Sequence, residues 1–343
     1  MINHCNGEEM QIAVIHNINQ TNVINHVGNQ NREMYYRDEI DAVIDALKMK
    51  EHVVKDFDGD KFIIHQLESF LPPVKTQEKP DGIVLNLAYG VQGNSRYTHI
   101  PSILEMMGIP YTGSGPLAHS VALDKDMTKR LLLQSGIATP RFVLVDKMID
   151  QEKVDQLQLT CPLIIKPENE AASFGISVID DPGKLAQAVN ETLEEFRQPL
   201  LVEEFINGRE FNTGILGNGD ALEVFDPVEI DFMESGHRFQ SFYGKKNGSY
   251  RHICPPDISY TLKNELKEIA RRVFLVLKCS DYARIDFRLD QNERPYVLEL
   301  NSMASINQKG SFFHAARNAG YDYAGMMDQI IKVALARYQD GME

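Results

Sequence analysis

The 343 residues contain no CxxC pair, no GxxxxGK[ST] phosphate loop, no internal repeat and no long apolar run. Cys5, Cys161, Cys254 and Cys279 are scattered, so they read as reduced thiols and not as a zinc or disulfide framework. The most apolar stretches, Val273 to Leu277 and Ile330 to Ala336, fall well short of the roughly 20 residues a membrane helix needs. Basic charge is scarce: 35 Lys and Arg against 49 Asp and Glu leave a net charge of -14. That balance disfavours a chain built to wrap a nucleic-acid backbone. Glu8 and Glu9 precede a short IAVI, and no long apolar core follows a basic start, so no export signal is read. The expectation is a cytoplasmic protein with neither nucleic acid nor membrane as partner.

What remains is a globular composition, 43% apolar and 24% charged, long enough for two or three domains. Gln11 to Ile15 and Gly82 to Leu87 read as strands. Arg37 to Lys48, with Ile40, Val43, Ile44 and Leu47 at helical spacing, reads as a helix between them. This is an α/β opening. Asp58-Gly59-Asp60-Lys61 reads as a turn. A helix is predicted over Asp124 to Ser135, strands over Pro162 to Lys166, Ile176 to Ile179 and Leu200 to Glu204, and a helix over Pro182 to Glu195. Beyond Phe211 the pattern is strand-rich, with helices at Thr261 to Leu277 and Tyr323 to Tyr338. In the latter, Met326, Met327, Ile330 and Ile331 face a core. The domain boundaries drawn from this are 1–120, 121–210 and 211–343.

The most informative segment is Ala283 to Asn301. It reads as two strands around a polar turn, and a symmetric hairpin sets Asp286 opposite Glu299 and Arg284 opposite Asn301. Period two puts all four on one face and sends Phe287 and Leu298 to the other. Two facing acids repel unless a cation compensates them, and an all-oxygen donor set favours Mg²⁺ over zinc. The competing reading is a solvated sheet face on which Arg288 pairs with an acid. Lys125, at a helix start, and Lys166, ending the strand LIIK, are placed to direct ammonium groups at a nucleotide. Glu203, Glu204 and Glu210, at and beyond the end of LLVE, are placed to accept from ribose hydroxyls or an adenine amino group.

These stretches resemble the D-alanine-D-alanine ligase family of the ATP-grasp superfamily. GIPYTGSG at 108–115, ALDKDMTKRLL at 122–132, PLIIKPENEAASFGIS at 162–177, LVEEFINGRE at 201–210, ARIDFRLD at 283–290 and VLELNSMAS at 297–305 fall in the family's order. The resemblance implies mixed α/β and α+β architecture: an ATP-grasp fold with a Rossmann-like N-terminal domain and the nucleotide held between the central and C-terminal domains. It implies ATP with two Mg²⁺ ions, for which Mn²⁺ substitutes. Lys125, Lys166, Ser173 and Lys245 or Lys246 then look like phosphate contacts, Glu203, Phe205 and Ile206 like the adenine hinge, and Glu210 like the ribose acid. Asp286, Glu299 and Asn301 look like the metal ligands. Arg284 looks like the group holding the acyl phosphate and the oxyanion, with Lys166 and a Ser305 backbone N–H as further catalytic groups.

The departures from the family pattern fall among substrate residues. Where the family carries His-Gly and then Gly-Glu-Asp-Gly, this chain has Tyr89-Gly90 and Gly93-Asn94-Ser95-Arg96. The serine loop becomes Ala171-Ala172-Ser173, keeping Gly175; the Pro-Gly-Met turn becomes Ala304-Ser305-Ile306; and the serine at the second D-alanine falls around Gly310 and Ser311. Glu33 replaces the family's N-terminal glutamate only if a longer loop returns it. Tyr89, Arg96, His99, Arg284, Ser305 and Ser311 are therefore the expected substrate contacts, with Arg96 offering a fork to a carboxylate. The leading expectation is an amide-forming ligase acting on a small carboxylate and an amine other than D-alanine. The alternatives are a true D-alanine-D-alanine ligase, a ligase using a carrier-protein-linked substrate, and a catalytically silent nucleotide-binding module. Dimerisation through the first domain is a further expectation of the resemblance.

Overall fold

The computed structural model describes residues 9–19, 30–73, 80–233, 238–239 and 250–340. Strand β1 (Gln11–His16) lies between β2 (Val53–Asp58) and β3 (Gly82–Asn86), all parallel. Helix α1 (Arg37–Lys48) crosses from β1 to β2 and turns the predicted Ile40, Val43, Ile44 and Leu47 inward. The Asp58-Gly59-Asp60-Lys61 segment is a turn, with the Gly59 N–H donating to the His16 carbonyl at 2.6 Å, and it leads into α2 (Ile63–Glu68). A 3-10 turn at Arg96–Thr98 runs into α3 (His99–Met107), followed by α4 (Pro116–Leu123).

The next unit comprises α5 (Lys125–Gln134), β4 (Phe142–Val145), α6 (Gln151–Gln156), β5 (Leu163–Pro167), β6 (Ser177–Ile179), α7 (Leu185–Phe196) and β7 (Leu200–Glu204). Its sheet has the order β4-β7-β5-β6 and is antiparallel throughout. Leu185 and Val189 of α7 share a core with Leu163, Ile165 and Val202, which leaves the opposite sheet face open to the site.

The last unit carries β8 (Glu210–Leu216), β9 (Glu223–Val224), β10 (Val228–Asp231), β11 (Arg251–Ile253), α8 (Tyr260–Val276), β12 (Tyr282–Leu289), β13 (Pro295–Asn301), α9 (Ser311–Asn318) and α10 (Tyr323–Asp340). The sheet runs β11-β10-β8-β12-β13, with β9 also on β8. Helix α8 buries Leu266, Val273 and Phe274 against Phe211, Ile285 and Phe287. Alternation along β12 then places Arg284, Asp286 and Arg288 on the face away from that core. Helix α10 returns to the first unit, where Met326, Met327, Ile330 and Ile331 join Ile40, Val43 and Leu47 in one core. The fully buried Asp281 carboxylate fastens this return: it accepts from the Gly113 N–H at 2.7 Å and from Arg337 Nη2 at 2.9 Å.

Candidate functional site

The register of three adjacent strands builds the floor of the site. Asp286 of β12 sits opposite Glu299 of β13 and opposite Asn212 of β8, while Arg284 faces Asn301 and Gly214. These are the pairs that hairpin symmetry predicts. The symmetry fails one step further along, because a bulge falls between Asp286 and Phe287 and pairs Phe287 with Val297. Leu298 is the extra residue. It lines the cleft beside Asp286 and Glu299, contrary to the expectation that it points into the core with Phe287. At the bulge Val297 N–H donates to the Ala138 carbonyl at 2.9 Å, and the Val297 carbonyl accepts from Thr139 Oγ1 at 2.8 Å.

Asp286 is held from three sides. Arg284 grips it with Nε and Nη2, each 2.7 Å from one of its oxygens; Asn212 Nδ2 donates at 2.7 Å and Asn301 Nδ2 at 3.1 Å. Burial opposes the charge on Arg284, but Asp286 and Glu299 outweigh it and raise its pKa. Among the described residues no group of three His, Cys, Asp or Glu side chains gathers as a metal site. The expected donors are the carboxylates of Asp286 and Glu299 and the Asn301 amide oxygen, although here Asn301 turns its Nδ2 toward both acids, at 3.1 Å and 3.4 Å. Hard oxygens of this kind suit Mg²⁺, and in this structure the charge on Asp286 is compensated by Arg284.

Two cavities meet at this floor. The larger lies between the β4-β7-β5-β6 sheet and the C-terminal sheet and includes Lys166, Ser173, Glu203, Phe205, Ile206 and Glu210 in its walls. The smaller is walled by Tyr97, Lys125, Glu170, Asn301 and Ser302. Glu299 lines both.

Lys125 is the first residue of α5, whose N-cap Asp124 accepts from the Met127 N–H at 2.9 Å. Its side chain runs back to the carbonyls of Glu168 and Glu170. Burial pushes its ammonium below the ordinary value, with Glu299 opposing that shift. Lys166 donates to Glu203, which the sequence placed at a separate, adenine-facing position; here the two share an ion pair. Glu203 is buried, not solvated, and Lys129 Nζ stands 2.7 Å from its second oxygen. Burial acts to raise the Glu203 pKa, but Lys129 and Lys166 together outweigh it and lower the net value. Lys129 escaped the sequence reading although it lies within ALDKDMTKRLL, because only Lys125 of that stretch was singled out. A further sequence signal is that helix periodicity turns a lysine toward the core.

Among the expected substrate contacts, Tyr89 is buried and stacks on Tyr35 with centroids 5.4 Å apart. Arg96 opens the 3-10 turn with only 2% of its surface exposed. Nη2 lies 3.8 Å from Glu170, and Nε and Nη2 lack hydrogen-bond partners among the described residues. Gly90 lies against it: a side chain there would meet the Arg96 carbonyl at 2.1 Å, and its φ is +77°. Glu33 does return, accepting from the Tyr97 hydroxyl. None of Tyr89, Arg96, His99, Arg284, Ser305 and Ser311 lines either cavity, and His99, at the start of α3, is also exposed to solvent. Ser305 Oγ accepts from Asn307 Nδ2 at 2.9 Å, and Ser311 is buried at the first turn of α9. Lys245 and Lys246 lie outside the described residues.

A cleft between two antiparallel sheets, walled by Lys166 from one and by Asp286 and Glu299 from the other, is the ATP-grasp arrangement. A D-alanine-D-alanine ligase of Bacillus anthracis solved in complex with ATP superposes with a TM-score of 0.74 at 22% identity, covering 97% of this chain and 99% of that one. The family model for the D-ala D-ala ligase C-terminus matches residues 131–332. Over 335 residues the chain is 37% identical to y4sG of Sinorhizobium fredii, described as uncharacterized, spanning 96% of this chain and 98% of that protein. It is 34% identical over 308 residues to a D-alanine-D-alanine ligase of Carboxydothermus hydrogenoformans, spanning 86% and 92%. The chain belongs to the D-alanine-D-alanine ligase family of the ATP-grasp superfamily, whose members are ATP-dependent carbon-nitrogen ligases. No described helix is long and apolar enough to cross a membrane.

Proposed function

We propose that this protein joins a small amino-acid carboxylate to an amine at the expense of ATP, with D-alanine in both roles as the first substrate pair. The single observation carrying the reading is that Glu299 lines both cavities, so one carboxylate borders a nucleotide cleft on one side and a smaller polar chamber on the other. The names of the family relatives favour D-alanine over the leading expectation from the sequence, which was a different acid and amine.

In this reading the substrate carboxylate occupies the smaller chamber and attacks the terminal phosphate, giving an acyl phosphate and ADP. The amine then attacks the acyl carbon and inorganic phosphate leaves. Lys125 and Lys166 offset negative charge on the transferring group, and Arg284, released from Asp286, holds the acyl phosphate and the oxyanion. Asp286, Glu299 and the Asn301 oxygen would hold Mg²⁺, which supplies charge neutralisation for phosphoryl transfer. Phe205, Ile206 and Glu210 take the nucleoside, with Ser173 near the phosphates. Tyr89, Glu33, Ser305 and Ser311 border the substrates.

A second reading, a different acid, is favoured by Arg96. Its buried guanidinium has unfilled N–H donors beside the smaller chamber, a provision for an anionic group beyond the reacting carboxylate. The test is Mg²⁺-dependent ADP and phosphate release with D-alanine, run beside pools of other amino acids and small carboxylates, with hydroxylamine as acyl-phosphate trap and mass detection of products. D-alanyl hydroxamate and D-alanyl-D-alanine are the expected products. A hydroxamate from another pool alone assigns the second reading, and nucleotide binding without turnover in any pool defeats both.

A further inference from the structure

Arg288 is a cation in the nucleotide cleft that neither the metal floor nor the phosphate lysines account for. Strand register sets it opposite Glu210 of β8, two residues along β12 from Asp286 on the same sheet face. It is 5% exposed and lines the larger cavity. The sequence allowed a solvated Arg288 paired with an acid; instead its Nε stands 3.9 Å from Glu210, beyond hydrogen-bond reach.

The fork is held in place without being satisfied. Nη2 donates to the carbonyls of Gly208 at 3.0 Å and Arg238 at 2.7 Å, and the guanidinium carbon lies 4.3 Å from the Phe205 ring centroid. Nε and Nη1 are buried with no hydrogen-bond partner among the described residues. Buried charged donors left unmet are costly, and these two point to different sides of one fixed plane, so each offers a separate place for an acceptor from the cavity.

We propose that Arg288 is a nucleoside-recognition residue that donates one of its two unmet N–H groups, on Nε or Nη1, to a neutral acceptor on the nucleoside half of ATP, a ribose oxygen or a purine ring nitrogen. This rests on the reading of the larger cavity as the nucleotide site. Its place beside Glu210 and Phe205, and away from Lys125, sets it at the sugar-and-base end of the cleft. Its contribution is therefore to nucleoside affinity and not to phosphate charge.

The experiment is calorimetric titration of the full chain with Mg²⁺ and no acid substrate, using ATP, 2′-deoxy-ATP, 3-deaza-ATP, 7-deaza-ATP and inorganic tripolyphosphate. Arg288→Leu is expected to weaken ATP about ten-fold or more while leaving tripolyphosphate unchanged. Arg288→Lys, which lacks the planar fork, is expected to recover only part of the loss. The analogue lacking the contacted atom binds the wild type more weakly than ATP does, and suffers no further loss in the Leu variant: the deoxy compound assigns the ribose, a deaza compound the ring. Equal loss of ATP and tripolyphosphate, unchanged ATP affinity, or no discrimination among the analogues would each overturn the assignment. A wild type that binds no ATP defeats the nucleotide reading itself, and this inference with it.

Discussion

Glu203 and Lys129 form a 2.7 Å ion pair in which each side chain is 1% exposed, and Lys166 completes the pair from β5. Removing one member of such a pair leaves an uncompensated buried charge, which typically costs about 3–5 kcal/mol. Glu203→Gln is therefore expected to lower stability by about that amount at pH 7. The pH dependence has a definite sign. The folded-state pKa of Glu203 is lowered, so its contribution is present above the unfolded value of about 4.3 and is lost as pH falls through the folded one. Denaturant midpoints of the wild type and Glu203→Gln should differ clearly at pH 7 and draw together progressively as pH falls below about 4.3. A constant gap across that range refutes the ionic account.

Glu168 behaves oppositely. Burial, then Asp124 and Asp126, push its carboxyl up to about 7, with Lys125 opposing them. A carboxyl whose folded pKa is raised destabilises the fold progressively as pH rises from the unfolded value of about 4.3 to the folded one. Glu168→Gln is thus expected to melt above the wild type at pH 8 and with it at pH 4. A variant less stable than wild type at pH 8 would show that Glu168 is held by contacts its charge does not weaken.

What was legible in the sequence followed from period and cap. β12 and β13 alternate strictly enough to set Asp286 against Glu299, and Asp124 opens α5 where a cap should stand, so Lys125 and its direction could be read. The Leu298 bulge was not legible, because it answers to the Ala138 carbonyl and the Thr139 hydroxyl, which come from a distant segment. Lys129 and Arg288 were missed as site residues for the same reason. Their significance lies in what a different strand brings to them, and no local pattern records that. His99 was carried in by its proximity to Arg96, but the helix that starts at His99 turns it outward.

Glu299 borders both cavities without belonging to a hydrophobic cluster, so its loss should separate chemistry from folding. Glu299→Ala is expected to reduce Mg²⁺-dependent ADP release by on the order of 100-fold or more while leaving the melting temperature close to wild type. Turnover at the wild-type rate with the same Mg²⁺ dependence would remove Glu299 from the metal set.

Arg96 separates the two substrate readings. If it holds an anionic group on the acid substrate, Arg96→Ala raises KM for that acid by about ten-fold or more and leaves the ATP dissociation constant alone. Arg96→Lys restores little, because an ammonium cannot reproduce two donors in a plane. Glu170 does not confound the test, since it keeps a hydrogen bond from Gln198 Nε2 at 3.0 Å after Arg96 is truncated. If D-alanine is the acid, its one carboxylate is the reacting group at Arg284, and truncating Arg96 should instead act on kcat and KM only modestly. A variant whose sole defect is in ATP affinity would place Arg96 with the nucleotide and remove the structural argument for a second acid.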